Sequence, residues 1–286
     1  MENIENLYSK KRFGILDWGV GGLGFYNLFK ESHPKVPVLY FSDAGALPYG
    51  KMDQKDLTNR VQNILHFMVS AGCDKICIAC HSASTVVPYI QKIGVPVTNI
   101  IDHTIRMLQN FPPSLILGGR GTILSGMYNL KNRNDILRIA QPLSAFVESG
   151  ELESDKVKKQ IKQIVYLDRG QKEIGIHNII LACTHYVALS AQISEIVGPE
   201  YHIIDPVEFM LKWVERNWPL EYDSLPDIFF TTGSKESFLR SSKAAFGVNV
   251  HRNDVIHAGE LVAPSLDSSR SQTKNNSPGN TAKNLQ

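Results

Sequence analysis

Short apolar runs alternate with amphipathic stretches along most of the chain. FGILD (13–17), VPVLYF (36–41), KICIA (75–79), PVTNI (96–100), SLILG (114–118), NIILA (178–182) and YHIID (201–205) are too short for helices and rich in β-branched residues. That is the signature of parallel strands covered on both faces. Between Asp53 and Ser70, residues Leu57, Val61, Ile64, Leu65 and Met68 fall at helical spacing, and Val157, Ile161 and Ile164 repeat it between Ser154 and Val165. Strands alternating with helices predict a doubly wound α/β fold. Both ends break the pattern. Residues 1–12 read as a polar lead-in, and residues 265–286 as a Ser/Asn/Lys/Gln-rich tail with too little to bury, expected to be disordered and dispensable.

Composition narrows the classes of function. Thirty Lys+Arg stand against 28 Asp+Glu, a formal net charge of +2, and the basic residues are scattered. That gives no footprint for nucleic acid and favours a small polar substrate. No apolar run approaches the roughly 18 residues of a membrane span, and MENIENLYSKKR holds no signal-like apolar core, so a cytoplasmic protein is expected. Four cysteines in a chain of this length make no disulfide framework and are expected as free thiols or ligands.

Three of those cysteines lie in the run from Cys73 to Cys80, spaced C-x3-C-x2-C as in radical-SAM enzymes that hold an iron-sulfur cluster. Cluster ligands must converge. Here a strand over 75–79, with Cys73 in the turn before it, spreads the sulfurs along extended chain at ~3.3 Å per residue. The cluster spacing also usually carries an aromatic residue before its last cysteine, where this chain has Ala79. A redox pair Cys77-x-x-Cys80 needs the first turn of a helix, not a strand. Cys73 and Cys77 therefore read as ordinary buried thiols.

Cys80 differs, because it stands where the strand gives way to a helix near Ser82. Ligands bind at the carboxyl ends of strands in open α/β sheets, and a helix amino terminus stabilises a thiolate. NIILA followed by Cys183, Thr184, His185 and Tyr186 repeats the arrangement. The interval between the two cysteines nearly equals that between GILDWGVGG and LILGGRGT, so the chain reads as two similar halves, each presenting one cysteine to a cleft. Inverting a stereocentre beside a carboxylate needs a base on one face and an acid on the other. A thiolate and a thiol, with an ordinary pKa near ~8.5, meet both needs and exchange roles in the reverse direction.

These motifs resemble the glutamate racemases of the cofactor-independent aspartate/glutamate racemase superfamily. LDWGVGGLG (16–24) is similar to the family's Asp-Ser-Gly-Val-Gly-Gly, FSDAGALPYG (41–50) to its strand followed by Pro-Tyr-Gly, IACHSAS (78–84) to its Ala-Cys-Asn-Thr-Ala, and LACTHY (181–186) to its Cys-Thr-His-Tyr. GTILSGMY (121–128), FVESG (146–150) and FFTTGS (229–234) are weaker matches. The resemblance implies two α/β lobes, residues 13–100 plus 207–264 and residues 101–206, with the active site between them. It implies interconversion of L- and D-glutamate with no cofactor and no metal, serving peptidoglycan synthesis, and leaves room for a homodimer. Cys80 and Cys183 are then the two bases, Asp17 assisting the first and His185 with Glu148 the second. Pro48, Tyr49 and Gly50 would hold the side-chain carboxylate, and Ser82, Thr122 and Thr184 would fix the substrate.

Trp18 stands where the family has Ser, His81 where it has Asn, Ser82 where it has Thr, and GGRG (118–121) replaces a Gly-Thr-Pro-Gly-like turn. Trp18 either packs away or reshapes the pocket. His81 either hydrogen-bonds as Asn does or adds a titrating group beside Cys80. These departures keep open a racemase of another amino acid such as aspartate, or a non-catalytic descendant that binds an amino acid or a protein partner. Two rival patterns also occur. Gly19-x-Gly21-x-x-Gly24, with Asp43 near the ribose-binding position, satisfies the dinucleotide fingerprint, although Asp17 would set a carboxylate beside the phosphates. Cys183-x-His185 offers two metal ligands with no set to complete them.

Overall fold

A computed structural model describes residues 10–166 and 175–259, so the start of the lead-in and the whole 265–286 tail lie outside the described residues. Strands β1 (Arg12–Asp17), β2 (Val38–Ser42), β3 (Cys73–Ile78) and β4 (Val97–Asn99) form one sheet with β9 (Ile228–Thr231) and β10 (Val255–His257), in the order β10-β9-β2-β1-β3-β4. A second sheet holds β5 (Ser114–Gly118), β6 (Ile136–Ile139), β7 (Asn178–Ala182) and β8 (His202–Ile204), in the order β6-β5-β7-β8. All pairings are parallel. The inner order of the first sheet, β2-β1-β3-β4, is thus the order of the second, and the two lobes are wound alike.

Both faces of each sheet are covered, which is why the strands read as unbroken apolar runs. Phe13, Ile15, Val38 and Tyr40 pack on one side of the first sheet beside helix α1 (Leu23–Ser32), while Leu16, Leu39, Phe41, Ile76 and Ile78 pack on the other beside α2 (Gln54–Ser70). In the second sheet Leu115, Leu117, Ile179 and Leu181 face one core, and Ile116, Ile180 and Ala182 the other. The two patterned helices form where the spacing placed them. Asp53 accepts a hydrogen bond from the Asp56 amide at the start of α2, and all five periodic residues are buried. Helix α7 (Asp155–Val165) is likewise capped by Ser154, whose hydroxyl accepts from the Val157 amide.

One local expectation fails. Cys73 is not in a turn but is the first residue of β3, because Gly72, at φ 93°, completes the turn one residue earlier. The sulfurs still cannot converge: Cys77 joins the core on one face of the sheet, and Cys73 and Cys80 join the core on the other. The apolar pattern also missed β6, a half-exposed edge strand, and the short β9 and β10.

The chain crosses between the sheets after β4 and again after β8, and the helices that follow, α4 (Ile100–Leu108) and α9 (Val207–Asn217), pack on each other. The rings of His103 and Trp213 meet there at 5.0 Å. Among the described residues no helix is long and apolar enough to cross a membrane.

Candidate active site

In each sheet the first strand lies between the next two, so the winding reverses beside it and opens a crevice at the carboxyl ends. Asp17 closes β1 at one such point. Next to it the chain leaving β3 is held by hydrogen bonds from the Ala79 and Cys80 amides to the Leu16 carbonyl, at 2.9 and 3.4 Å. Cys80 then caps the short helix α3 (His81–Ser84). Cys183 leaves β7 at the matching point of the second sheet. The two cysteines line one narrow cleft between the lobes.

The surroundings of the two thiols differ. Asp17, wholly buried, accepts from the Gly19 amide at 3.0 Å and, across the cleft, from the Thr184 hydroxyl at 2.9 Å. Burial raises its pKa, and the charge of His185 and those two hydrogen bonds only partly offset it. Burial and the neighbouring Asp17 also push the Cys80 thiol well up, against the amides of Ala83 and Trp18, which favour the thiolate. At rest Cys80 carries its proton.

Cys183, half-buried, lies 3.8 Å from Nδ1 of His185, whose Nε2 is 2.6 Å from Oε1 of Glu148. Burial alone would lower the His185 pKa, but its contacts with Cys183 and Glu148 win and hold it well above the ordinary value. Burial would raise Glu148, and the hydrogen bond and charge of His185 bring it below the usual carboxylate range instead. The second thiol therefore faces an imidazolium. One half of the cleft presents a protonated thiol and the other a thiol beside a cation.

The Gly19–Gly24 run is occupied by contact between the lobes. A Cβ on Gly19 would lie 1.9 Å from Oε1 of Glu148, and one on Gly21 would lie 2.4 Å from Oγ1 of Thr184 and 2.6 Å from Nδ1 of His185. The Val20 amide donates to Glu148 at 2.9 Å. Protein groups fill the place where a pyrophosphate would approach. Asp43 has no role left for a ribose: its oxygens accept from Arg60 at 2.5 and 2.9 Å, from the Tyr49 hydroxyl at 2.7 Å and from Thr232 at 2.8 Å.

Of the residues expected at the substrate, Pro48, Tyr49, Gly50, Ser82 and Thr184 line the cleft. Thr122 stands behind Ser82, buried, with their hydroxyls 3.2 Å apart, and reaches a ligand only through that pair. Asp17 and Glu148 stand behind Thr184 and His185 in the same way. Trp18 both packs and borders the cleft: its Nε1 donates to the Ala46 carbonyl at 3.3 Å, and its ring lies 6.0 Å from that of His185.

His81 is only 2% exposed, and neither ring nitrogen has a hydrogen-bond partner. Burial pushes its pKa down to about 3, so it is neutral near pH 7, and the expectation of a titrating group beside Cys80 is overturned. Nor does it make an Asn-like bond within the protein. Gln141 and Ser144 also line the cleft and were not foreseen. Gln141 accepts from the Arg120 amide at 3.0 Å and donates to Ser144 at 3.2 Å. The available signal was Pro142, which opens helix α6 (Pro142–Ser149), the helix that carries Glu148.

Comparison with known proteins agrees with this geometry. The family model described as Asp/Glu/Hydantoin racemase matches residues 26–213. The glutamate racemase of Desulforudis audaxviator is 29% identical over 254 residues, covering 80% of this chain and 92% of the relative. That of Listeria monocytogenes is 29% identical over 248 residues, covering 80% and 91%. Among solved structures, glutamate racemase from Thermus thermophilus in complex with β-chloro-D-alanine matches with a TM-score of 0.77 at 22% identity, covering 89% of this chain and 99% of that one. The Francisella tularensis enzyme in complex with D-glutamate matches with a TM-score of 0.75 at 21% identity, covering 87% and 96%. Both structures share the two-lobed fold.

Proposed function

The chain belongs to the Asp/Glu/hydantoin racemase family, and from that premise we propose that it interconverts L- and D-glutamate by moving the Cα proton between Cys183 and Cys80. The observation that carries the reading is the pair of thiols at matching strand ends of one cleft, one protonated and one beside an imidazolium. Glutamate is favoured over aspartate because the Desulforudis audaxviator and Listeria monocytogenes relatives, matched over more than nine-tenths of their own length, are glutamate racemases.

In the L-to-D direction the Cys183 thiolate removes the Cα proton, and the electron pair left on carbon is delocalised into the α-carboxylate. Cys80 delivers its proton to the opposite face, leaving a thiolate at Cys80 and a thiol at Cys183. His185, held by Glu148, lies beside Cys183, and Asp17 lies beside Cys80. The amides at the head of the Tyr49–Lys51 turn receive the side-chain carboxylate, with Ser82 and Thr184 on the remaining polar groups. Such an activity in the cytoplasm supplies D-glutamate to peptidoglycan synthesis, and a homodimer is the assembly to look for by light scattering.

The test is incubation of the purified protein in D2O with each enantiomer of glutamate and of aspartate, without added cofactor. Deuterium at Cα of glutamate, with loss of optical rotation, is the expected outcome. Exchange into aspartate alone would reassign the substrate, and exchange into neither would remove the catalytic reading.

A further inference from the structure

Outside the thiol cleft lies a second, larger cavity open to solvent, which shares Tyr49, Gly50 and Ser82 with the first as a common wall. The two lobes meet at this wall: a Cβ on Gly121 would lie 2.9 Å from Cα of Gly50. The outer cavity mixes apolar and neutral polar groups in about equal measure, with Leu57, Val86 and Thr85 on one lobe and Leu124, Ser125 and Met127 on the other. Arg120 is the one charged residue among those lining it. Its guanidinium takes part in none of the ion pairs among the described residues. Its main chain, by contrast, is fixed to the inner cleft through the bond from its amide to Gln141.

An unpaired cation in an uncharged vestibule has an electrostatic consequence. Glutamate carries two carboxylates and one ammonium. The inner cleft is backed by the carboxyl groups of Asp17 and Glu148, and a net charge of +2 over 286 residues supplies little long-range attraction. With a screening length of about 8 Å at physiological salt, capture depends on charges close to the mouth. Arg120 is such a charge, in the GGRG turn where this chain departs from the pattern it otherwise resembles.

On the reading of the inner cleft as a glutamate site, we propose that the vestibule is an outer binding station for amino dicarboxylates, in which Arg120 takes one carboxylate before the ligand passes the Tyr49–Gly50 wall. Arg120 does not line the thiol cleft, so it acts on capture and not on proton transfer. Replacing it should change kcat/KM and leave kcat alone.

The test uses Arg120→Gln and Arg120→Lys. For L-glutamate, Arg120→Gln should lower kcat/KM by roughly threefold to tenfold with kcat little changed, and Arg120→Lys should recover most of the loss. Added NaCl should lower kcat/KM of the wild type and bring it to that of Arg120→Gln. Calorimetric titration with glutarate, a dicarboxylate with no ammonium and no stereocentre, should show weaker binding to Arg120→Gln by a similar factor. Equal salt dependence and equal glutarate affinity in wild type and Arg120→Gln would overturn the station while normal Cα exchange left the racemase reading standing. Glutarate binding that depends on Arg120 in a protein that exchanges no glutamate proton would support the station and remove the racemase reading instead.

Discussion

Cys80 and Cys183 follow matching strands in two sheets of the same winding, yet one is buried beside a carboxyl group and the other is half-buried beside a charged imidazole. The difference is local in part. After Cys80 the chain enters a helix at once, with Ser84 donating back to the Cys80 carbonyl at 2.8 Å. After Cys183 it enters a 3-10 turn, Thr184–Leu189, that folds His185 toward the sulfur. The rest comes from exchange across the cleft. Asp17 of the first lobe is held by Thr184 of the second, and Glu148 of the second accepts from Val20 of the first. A repeated backbone thus yields two unlike half-sites, because each thiol's electrostatics are completed by the opposite lobe.

The comparison breaks most completely at the thiols themselves. Cys80→Ala and Cys183→Ala should each lower racemisation by more than about a thousandfold. Each should still wash deuterium into one enantiomer: L-glutamate for the variant that keeps Cys183, D-glutamate for the one that keeps Cys80. Chiral chromatography with mass detection in D2O reads both quantities, and racemisation by either variant at the wild-type rate would rule out two thiols. A smaller effect sharpens the asymmetry. Glu148→Gln removes the anion that holds His185 protonated, so exchange from L-glutamate should fall roughly ten- to a hundredfold, with exchange from D-glutamate much less affected. Equal losses in the two directions would mean that Glu148 serves the joining of the lobes and not the Cys183 half.

The smallest expected change concerns stability and separates His81 from the titrating groups. Its folded pKa of about 3 lies below the ordinary 6.5, so the unfolded chain binds the extra proton first as pH falls. Stability from this residue is complete above pH 6.5 and drains as pH drops toward 3, by about 2 kcal/mol between pH 6.5 and 5. His81→Asn should therefore lose less unfolding free energy than the wild type between pH 7 and pH 5, measured by urea denaturation. Parallel losses in the two proteins would show that His81 titrates normally in the folded state.

What could be read from the sequence was whatever one lobe determines by itself. The buried strands, the helix faces and the caps at Asp53 and Ser154 follow from local periodicity and side-chain chemistry, and the two Ala-Cys strand ends stood out for the same reason. The failures have a common physical origin in contacts between distant segments. GxGxxG looks alike whether the glycines make room for a phosphate or for Glu148, Thr184 and His185, and only the opposing lobe decides. Gln141 and Ser144 carry no pattern of their own, and become cleft residues because Pro142 starts a helix directed at the joint. His81 could be read as an ionisable group until its burial was known, since a sequence shows side-chain type but not dielectric surroundings.

The position of β9 beside β2 also governs the order in which this chain acquires its shape. All four strands of the second sheet are available once residue 204 has been synthesised, whereas Leu39 must wait for Ile228 before that side of its strand is paired. The later segment is therefore the first to become a finished lobe, and the earlier one is held as a partial sheet with an open β2 edge while the ribosome adds residues at about 5–20 per second. Pairing strands so far apart in sequence is slow. An unpaired edge persisting through that interval makes β2 the strand most exposed to pairing with another nascent copy, and makes synthesis rate and chaperone supply determinants of yield.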